Sequence, residues 1–191
     1  MSNSKRFGAT KRAVFIDRDG TINIEKDYLY LVEEFEFIPG VPESIKRLND
    51  QGWLVIVVTN QSGIARGYYN EDDMHRLHDH IQVELANIGA RVDAWYFCPH
   101  HTSGKEPYNV DCTCRKPLPG MLLKAAAEHS VDLASSWMIG DKMVDLEAGE
   151  AAGCRTVLVR TGYGADAESV LPESVMVVDD LPSAVDAILL I

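Results

Sequence analysis

Asp17 and Asp19 close "AVFIDRDGT" (13–21), an apolar run that ends on two carboxylates with one arginine between them. In an extended backbone, residues two apart face the same side, so both carboxylates can address one site. Like charges this close raise each other's pKa or draw in a cation. On these residues alone a solvated Asp–Gly turn reads the same way, and other parts of the chain must decide. Thr59 and Asn60 end a second apolar run, "WLVIVVTN" (53–60), and lead into Gln61, Ser62 and, within "SGIARG", Arg66. "CRKPLPGM" carries Arg115 and Lys116, and "WMIGD" ends a further run on Asp141, with Lys142 next. A carboxylate nucleophile, a second carboxylate, a hydroxyl donor, a lysine and a distal carboxylate suit phosphoryl transfer, where catalysis is mostly positioning and charge stabilisation. Asp145, one helical turn beyond Asp141, reads as an ordinary helix face.

Cys98, His100, Cys112 and Cys114 form a second constellation. Three thiolates and an imidazole make a closed tetrahedral set for Zn2+, and four protein ligands leave no open position, so such a zinc is structural. His101 is a rival ligand to His100. The stretch "HTSGKEPYNVD" has almost no apolar residues and cannot pack a core, so a metal would be its staple. Cys114 precedes Arg115 and Lys116 directly, so fixing the loop fixes both cations. Cys154 reads as a small buried residue.

These residues need a scaffold that delivers them to one place. Apolar runs at 13–17, 53–60, 92–99, 137–141, 156–162 and 175–181 read as strands. Segments 42–52, 70–89, 119–130, 143–154 and 181–191 carry helical spacing. Alternating strands and helices imply a doubly wound, mostly parallel α/β sheet, with ligands at the carboxyl ends of the strands. The chain of 191 residues fits one domain over 13–191, with a zinc loop at 98–114 and residues 1–12 as a mobile tail. No apolar stretch approaches the ~20 residues of a membrane span, and the start lacks a signal-peptide pattern. A cytoplasmic protein with reduced cysteines and no membrane partner is expected. The net formal charge of −11 argues against a broad nucleic-acid surface, yet a few local cations suffice for a phosphate.

"DRDGT", "TNQSG", "RKP" and "GDKMVD" resemble the four motifs of the haloacid dehalogenase-like phosphatases, over most of the chain. The resemblance implies that Asp17 attacks phosphorus to form an aspartyl-phosphate, and that Asp19 protonates the leaving oxygen and then activates water. It implies Mg2+ held by Asp17, the Asp19 backbone carbonyl and Asp141, with Thr59 and Lys116 on the phosphoryl oxygens. Too little chain separates Asp19 from the second strand for a separate cap domain. The zinc loop would form one wall of the pocket and "NIEKDYLYLVEEFEF" another. Two zinc-bearing, capless branches compete, one acting on a heptose bisphosphate for lipopolysaccharide core synthesis and one on histidinol phosphate. "SGIARG" and the lysine after "GD" look closer to the heptose branch. A second phosphate would need cations, for which Arg66, Arg115 and Lys142 are candidates. An ammonium would want Glu25 and Asp27. In the heptose branch the segment Glu25 to Tyr28 touches sugar hydroxyls, and Asn60, Gln61 and Ser62 join the substrate contacts. A monomer acting on a small phosphorylated sugar is the expected form.

Overall fold

The computed structural model describes residues 10–169, 171–172 and 174–191. Six strands form one sheet: β1 (Ala13–Ile16), β2 (Leu54–Asn60), β3 (Ala94–Cys98), β4 (Trp137–Gly140), β5 (Arg155–Val159) and β6 (Met176–Val178). Their order is β3-β2-β1-β4-β5-β6, and every pairing is parallel. The chain winds outward from β1 in one direction, then from β4 in the other. The crevice where these two diverge, beyond their carboxyl ends, is where a doubly wound sheet binds ligands.

Among the described residues, seven α-helices pack around the sheet: α1 (Val41–Asp50), α2 (Ser62–Arg66), α3 (Glu71–Ala86), α4 (Gly120–His129), α5 (Met143–Ala152), α6 (Gly164–Glu168) and α7 (Leu181–Leu189). The central strands are near-continuous apolar runs because both faces are covered. Alternation assigns each side chain to a layer. Val14, Ile16, Val55 and Val57 meet Ile45 and Leu48 of α1, Leu77, Ile81 and Leu85 of α3, and Val185 and Ile188 of α7. Phe15, Ile56, Val58 and Met138 meet Met121, Leu122 and Ala125 of α4, and Ala148 and Ala152 of α5. α3 starts on a capping box: Asn70 Oδ1 accepts from the Asp73 N–H, and Asp73 Oδ2 accepts from the Asn70 N–H, both at 2.9 Å.

The expected strands and long helices are present with ends shifted by a few residues. α2 and α6, each five residues long, are too short to show a helical period and were not read from sequence. The expected tail over 1–12 does not extend to its last two residues. The Lys11 N–H donates to Ser130 O and Arg12 O accepts from the Leu54 N–H, both at 3.0 Å. The Arg12 guanidinium lies 4.2 Å from the Trp53 ring centroid. Residues 1–9 lie outside the described residues. No helix among the described residues is long and apolar enough to cross a membrane.

Candidate active site

β1 runs straight into Asp17, whose backbone N–H still donates to Ile139 O of β4 at 3.0 Å. The ladder therefore fixes its backbone at the point of divergence. Its Oδ1 accepts from the Arg18 N–H at 2.8 Å and pairs with Lys116 Nζ at 2.9 Å. Both donors fall on one oxygen, and Oδ2 has no protein donor among the described residues. Lys116 is buried and also pairs with Asp145 Oδ1 at 2.6 Å and donates to Val58 O at 2.8 Å. Burial works against its charge, but Asp145 and Asp17 outweigh burial and its pKa is raised. Lys116 is thus a fixed cation.

Asp145 sits in the first turn of α5 and is fully buried. Its other oxygen accepts from the Lys142 N–H at 3.0 Å. A Cβ on Gly140 would lie 2.3 Å from Asp145 Oδ2, so only glycine at the end of β4 admits this carboxylate. Asp141, also fully buried, accepts from the Tyr163 N–H through Oδ2 at 2.9 Å. Its Oδ1 is buried without a partner. Gly20, at φ +84°, passes so close that its Cβ would lie 2.3 Å from Asp141 Oδ2. Carboxylate oxygens of Asp17, Asp141 and Asp145 lie within 4.8 Å of one another. Burial, then the charge of Asp17, push Asp141 up to about 7. Burial pushes Asp145 up to about 6 against the pull of Lys116. Lys116 and Lys142, the latter 3.7 Å from Asp141 Oδ2, leave three crowded carboxylates with excess negative charge, and Asp141 Oδ1 has no donor among the described residues. That donor set fits a hard divalent cation.

Asp19 lines the same pocket but turns to different partners. It takes Arg18 Nε at 3.1 Å and Nη2 at 2.9 Å, Asn23 Nδ2 at 3.1 Å and Gln61 Nε2 at 3.0 Å. Arg18 is fully buried; it also donates to Leu29 O at 2.8 Å and meets His78 Nε2 at 3.1 Å. Burial and Arg18 hold the His78 pKa well below its usual value, so His78 is a neutral acceptor for the guanidinium. The Gln61 amide nitrogen is shared with Thr59 Oγ1 at 2.8 Å, and its oxygen accepts from the Tyr69 hydroxyl. Thr59 Oγ1 thus accepts from Gln61, which leaves its own proton for a ligand.

The pocket over these groups has a volume of about 320 Å³ and is lined by Glu25, Asp27 and Tyr28. Asn60, Ser62, Arg115, Lys142 and Tyr163 also line it. The resemblance to the heptose branch puts Asn60 among the substrate contacts. Both its amide atoms are instead spent on Lys116, donating to Lys116 O at 3.0 Å and accepting from the Lys116 N–H at 3.1 Å. Asn60 positions the lysine, and Gln61 positions Thr59 and Asp19. Arg66 does not line the pocket; it lies 5.9 Å from the Tyr28 ring centroid and meets His101 Nε2 at 3.3 Å. Glu25 Oε2 is engaged by Lys142 Nζ at 3.1 Å, and Asp27 Oδ1 by the Tyr163 hydroxyl at 3.1 Å.

Cys98, His100, Cys112 and Cys114 do converge. Sulfur separations are 3.6 Å for Cys98–Cys112 and 3.1 Å for Cys98–Cys114, and His100 Nδ1 lies 3.3 Å from Cys114 Sγ. All four cysteines are free thiols. A tetrahedron with Zn–S of ~2.3 Å has edges of roughly 3.7 Å, so these donors fit a zinc ion with small adjustment. His101 is occupied by Arg66 and by the Ser103 N–H, leaving His100 as the imidazole of the set. Cys154 is buried in the core beside Met138 and Ala152, away from the cluster. Arg115 Nη1 donates to His100 O at 3.4 Å, which ties its guanidinium to the loop.

Asp145, Arg18 and Tyr163 were not singled out from sequence. Asp145 is four residues past Asp141, a spacing that serves a solvated helix face equally well. Only the placement of α5 against the end of β4 turns it inward.

The HAD-hydrolase-like family profile matches residues 113–184. A D-glycero-beta-D-manno-heptose-1,7-bisphosphate 7-phosphatase of Pasteurella multocida (strain Pm70) is 49% identical over 80% of this chain and 83% of its own length. One so named from Escherichia coli (strain K12) is 43% identical over 91% of this chain and 93% of its own. The crystal structure of D,D-heptose 1,7-bisphosphate phosphatase from B. bronchiseptica, complexed with magnesium and phosphate, superposes with a TM-score of 0.85. It shares 37% identity and covers 94% of this chain and 98% of that one. With the same fold and such identity over nearly full length, the chain belongs to the HAD-like hydrolases and, within them, to the D-glycero-beta-D-manno-heptose-1,7-bisphosphate 7-phosphatase family.

Proposed function

We propose that the protein hydrolyses the 7-phosphate of D-glycero-β-D-manno-heptose 1,7-bisphosphate through an aspartyl-phosphate on Asp17. The observation that carries this is Asp17 itself, held by Lys116 and the Arg18 N–H on one oxygen and open on the other. The open oxygen attacks phosphorus, and the bond from phosphorus to the C7 oxygen breaks. Asp19 gives its proton to the departing oxygen. It then takes a proton from water, which attacks phosphorus and frees Asp17 and phosphate. Lys116 and the Thr59 hydroxyl bind phosphoryl oxygens. Asp17 and Asp141, with the Asp19 backbone carbonyl, would hold Mg2+, and Asp145 stands behind them on Lys116. The ion supplies charge neutralisation, letting a carboxylate meet a phosphate. Zn2+ in the Cys98–His100–Cys112–Cys114 set would fix the loop that carries Arg115.

The histidinol-phosphate reading needs carboxylates free for an ammonium. Glu25 is already paired with Lys142 and Asp27 with Tyr163, whereas Arg115 lines the pocket with no carboxylate partner among the described residues. A free guanidinium fork favours a second phosphate. Arg115→Ala is expected to cut kcat/KM for the bisphosphate by ~30- to 150-fold, about 2–3 kcal/mol for a charge-assisted contact. A heptose 7-phosphate without the 1-phosphate should lose far less. Equal losses on both would place Arg115 at the reacting phosphate.

Metal removal separates the two sites. Brief EDTA treatment is expected to abolish turnover, and added Mg2+ to restore it, while one zinc per chain stays bound by elemental analysis. Cys112→Ala should lose the zinc and raise KM more than it lowers the melting temperature, because the sheet core lies elsewhere. Protein grown with adequate zinc that contains none would contradict the loop reading.

A further inference from the structure

The segment that brings Glu25, Asp27 and Tyr28 into the pocket lining holds two successive non-glycine residues in left-handed backbone, Asp27 at φ 45° and Tyr28 at φ 58°. Such residues cost on the order of 1 kcal/mol or more each and persist only where neighbours hold them. For Asp27 the neighbour from a distant part of the chain is Tyr163, whose hydroxyl donates to Asp27 Oδ1 at 3.1 Å. The Asp27 N–H donates to Glu25 Oε1 at 3.1 Å, and Lys142 Nζ reaches the other Glu25 oxygen at the same distance. Lys142 Nζ in turn sits 4.6 Å from the centroid of the Tyr163 ring. The Tyr163 N–H closes the ring of contacts on Asp141. Tyr163 is 43% exposed, so core packing does not account for its placement.

We infer that Tyr163 is a specificity-determining residue: its hydroxyl and ring clasp the segment Glu25–Tyr28 and Lys142 into a wall that reads the hydroxyl-bearing part of the substrate. This deepens, and rests on, the sugar-bisphosphate reading. The two walls differ in chemistry. The zinc-loop wall offers the Arg115 guanidinium, suited to a phosphate. The Glu25–Tyr28 wall offers two carboxylates, Glu25 paired with Lys142 and Asp27 held by the Tyr163 hydroxyl, together with a phenol that has an acceptor lone pair to spare. Paired carboxylates repel a phosphate and accept hydrogen bonds from a polyol. A clasp of this kind acts on binding more than on the chemical step, because neither Tyr163 nor Asp27 touches the reacting phosphate in the proposed mechanism.

Two variants test it. Tyr163→Phe keeps the ring and the N–H to Asp141 and removes only the hydroxyl. Asp27→Gly removes the carboxylate and relaxes the left-handed backbone, which glycine adopts freely. Each is expected to raise KM for heptose 1,7-bisphosphate roughly tenfold, as for one lost hydrogen bond to a charged group, with kcat within about twofold. Loss on p-nitrophenyl phosphate, which has no sugar hydroxyls, should be smaller. The double variant should lose less than the product of the two single losses, because both break the same contact. If Tyr163 only supported the backbone, Asp27→Gly would bind as well as the wild type. Amide hydrogen exchange of residues 25–29, read without turnover, should quicken in Tyr163→Phe. Unchanged KM and exchange, or losses that multiply in the double variant, would overturn the clasp. Failure of the wild type to hydrolyse the bisphosphate would instead overturn the substrate reading, while the exchange measurement would still judge the contact.

Discussion

Asp17→Asn is expected to yield a folded protein that releases no phosphate from any ester, a loss of more than ~10⁴-fold for a deleted nucleophile. The amide is nearly the size of the carboxylate but cannot attack phosphorus. Its structural cost is small, because Lys116 keeps Asp145 at 2.6 Å and Val58 O at 2.8 Å. Removing one negative charge from a cluster in which Asp141 is raised by burial and by Asp17 relieves repulsion. In Mg2+-free buffer the variant should therefore melt no lower than the wild type. Residual turnover above about one part in a thousand of the wild-type rate in a purified sample would remove Asp17 from its role.

Asp19→Asn is the second large effect, with an expected fall in kcat of ~10²- to 10⁴-fold on a sugar phosphate, the range for general acid–base catalysis. An alkyl oxygen needs a proton to leave, whereas p-nitrophenolate does not. The first step should accordingly survive better on p-nitrophenyl phosphate, and slow attack by water should leave phosphate on Asp17, visible by intact-protein mass spectrometry. Equal losses on both esters with no phosphorylated protein would mean that Asp19 serves position rather than proton transfer. Arg18 has a part in this, since its guanidinium grips Asp19 while anchored on Leu29 O and His78.

The sheet was legible because β1, β2 and β4 are buried on both faces and so read as unbroken apolar runs. The meeting of polar groups at one edge was legible for the same reason: strands that end on Asp17, Thr59 and Gly140–Asp141 deliver them there. The convergence of Cys98, His100, Cys112 and Cys114 was legible from residue type alone, since three cysteines and a histidine in a loop with few apolar residues have little other use. Three things were not. Asn60 and Gln61 follow the motif into the pocket, but their amides are spent on Lys116, Thr59 and Asp19, and hydrogen-bond direction is not written in spacing. Arg66 sits in α2, which is five residues long, and a single turn shows no period from which its facing side can be judged. Asp145 looked like a solvated helix residue. It is inside because Gly140 leaves room for it and Lys116 lies within reach, two facts that join segments far apart in sequence.

Phosphorus NMR of wild-type protein with Mg2+ and D-glycero-β-D-manno-heptose 1,7-bisphosphate follows both phosphates of the substrate at once. The 7-phosphate resonance should vanish as inorganic phosphate grows, while the 1-phosphate resonance persists. Loss of the 1-phosphate first, or an inert bisphosphate alongside rapid hydrolysis of histidinol phosphate, would contradict the assignment.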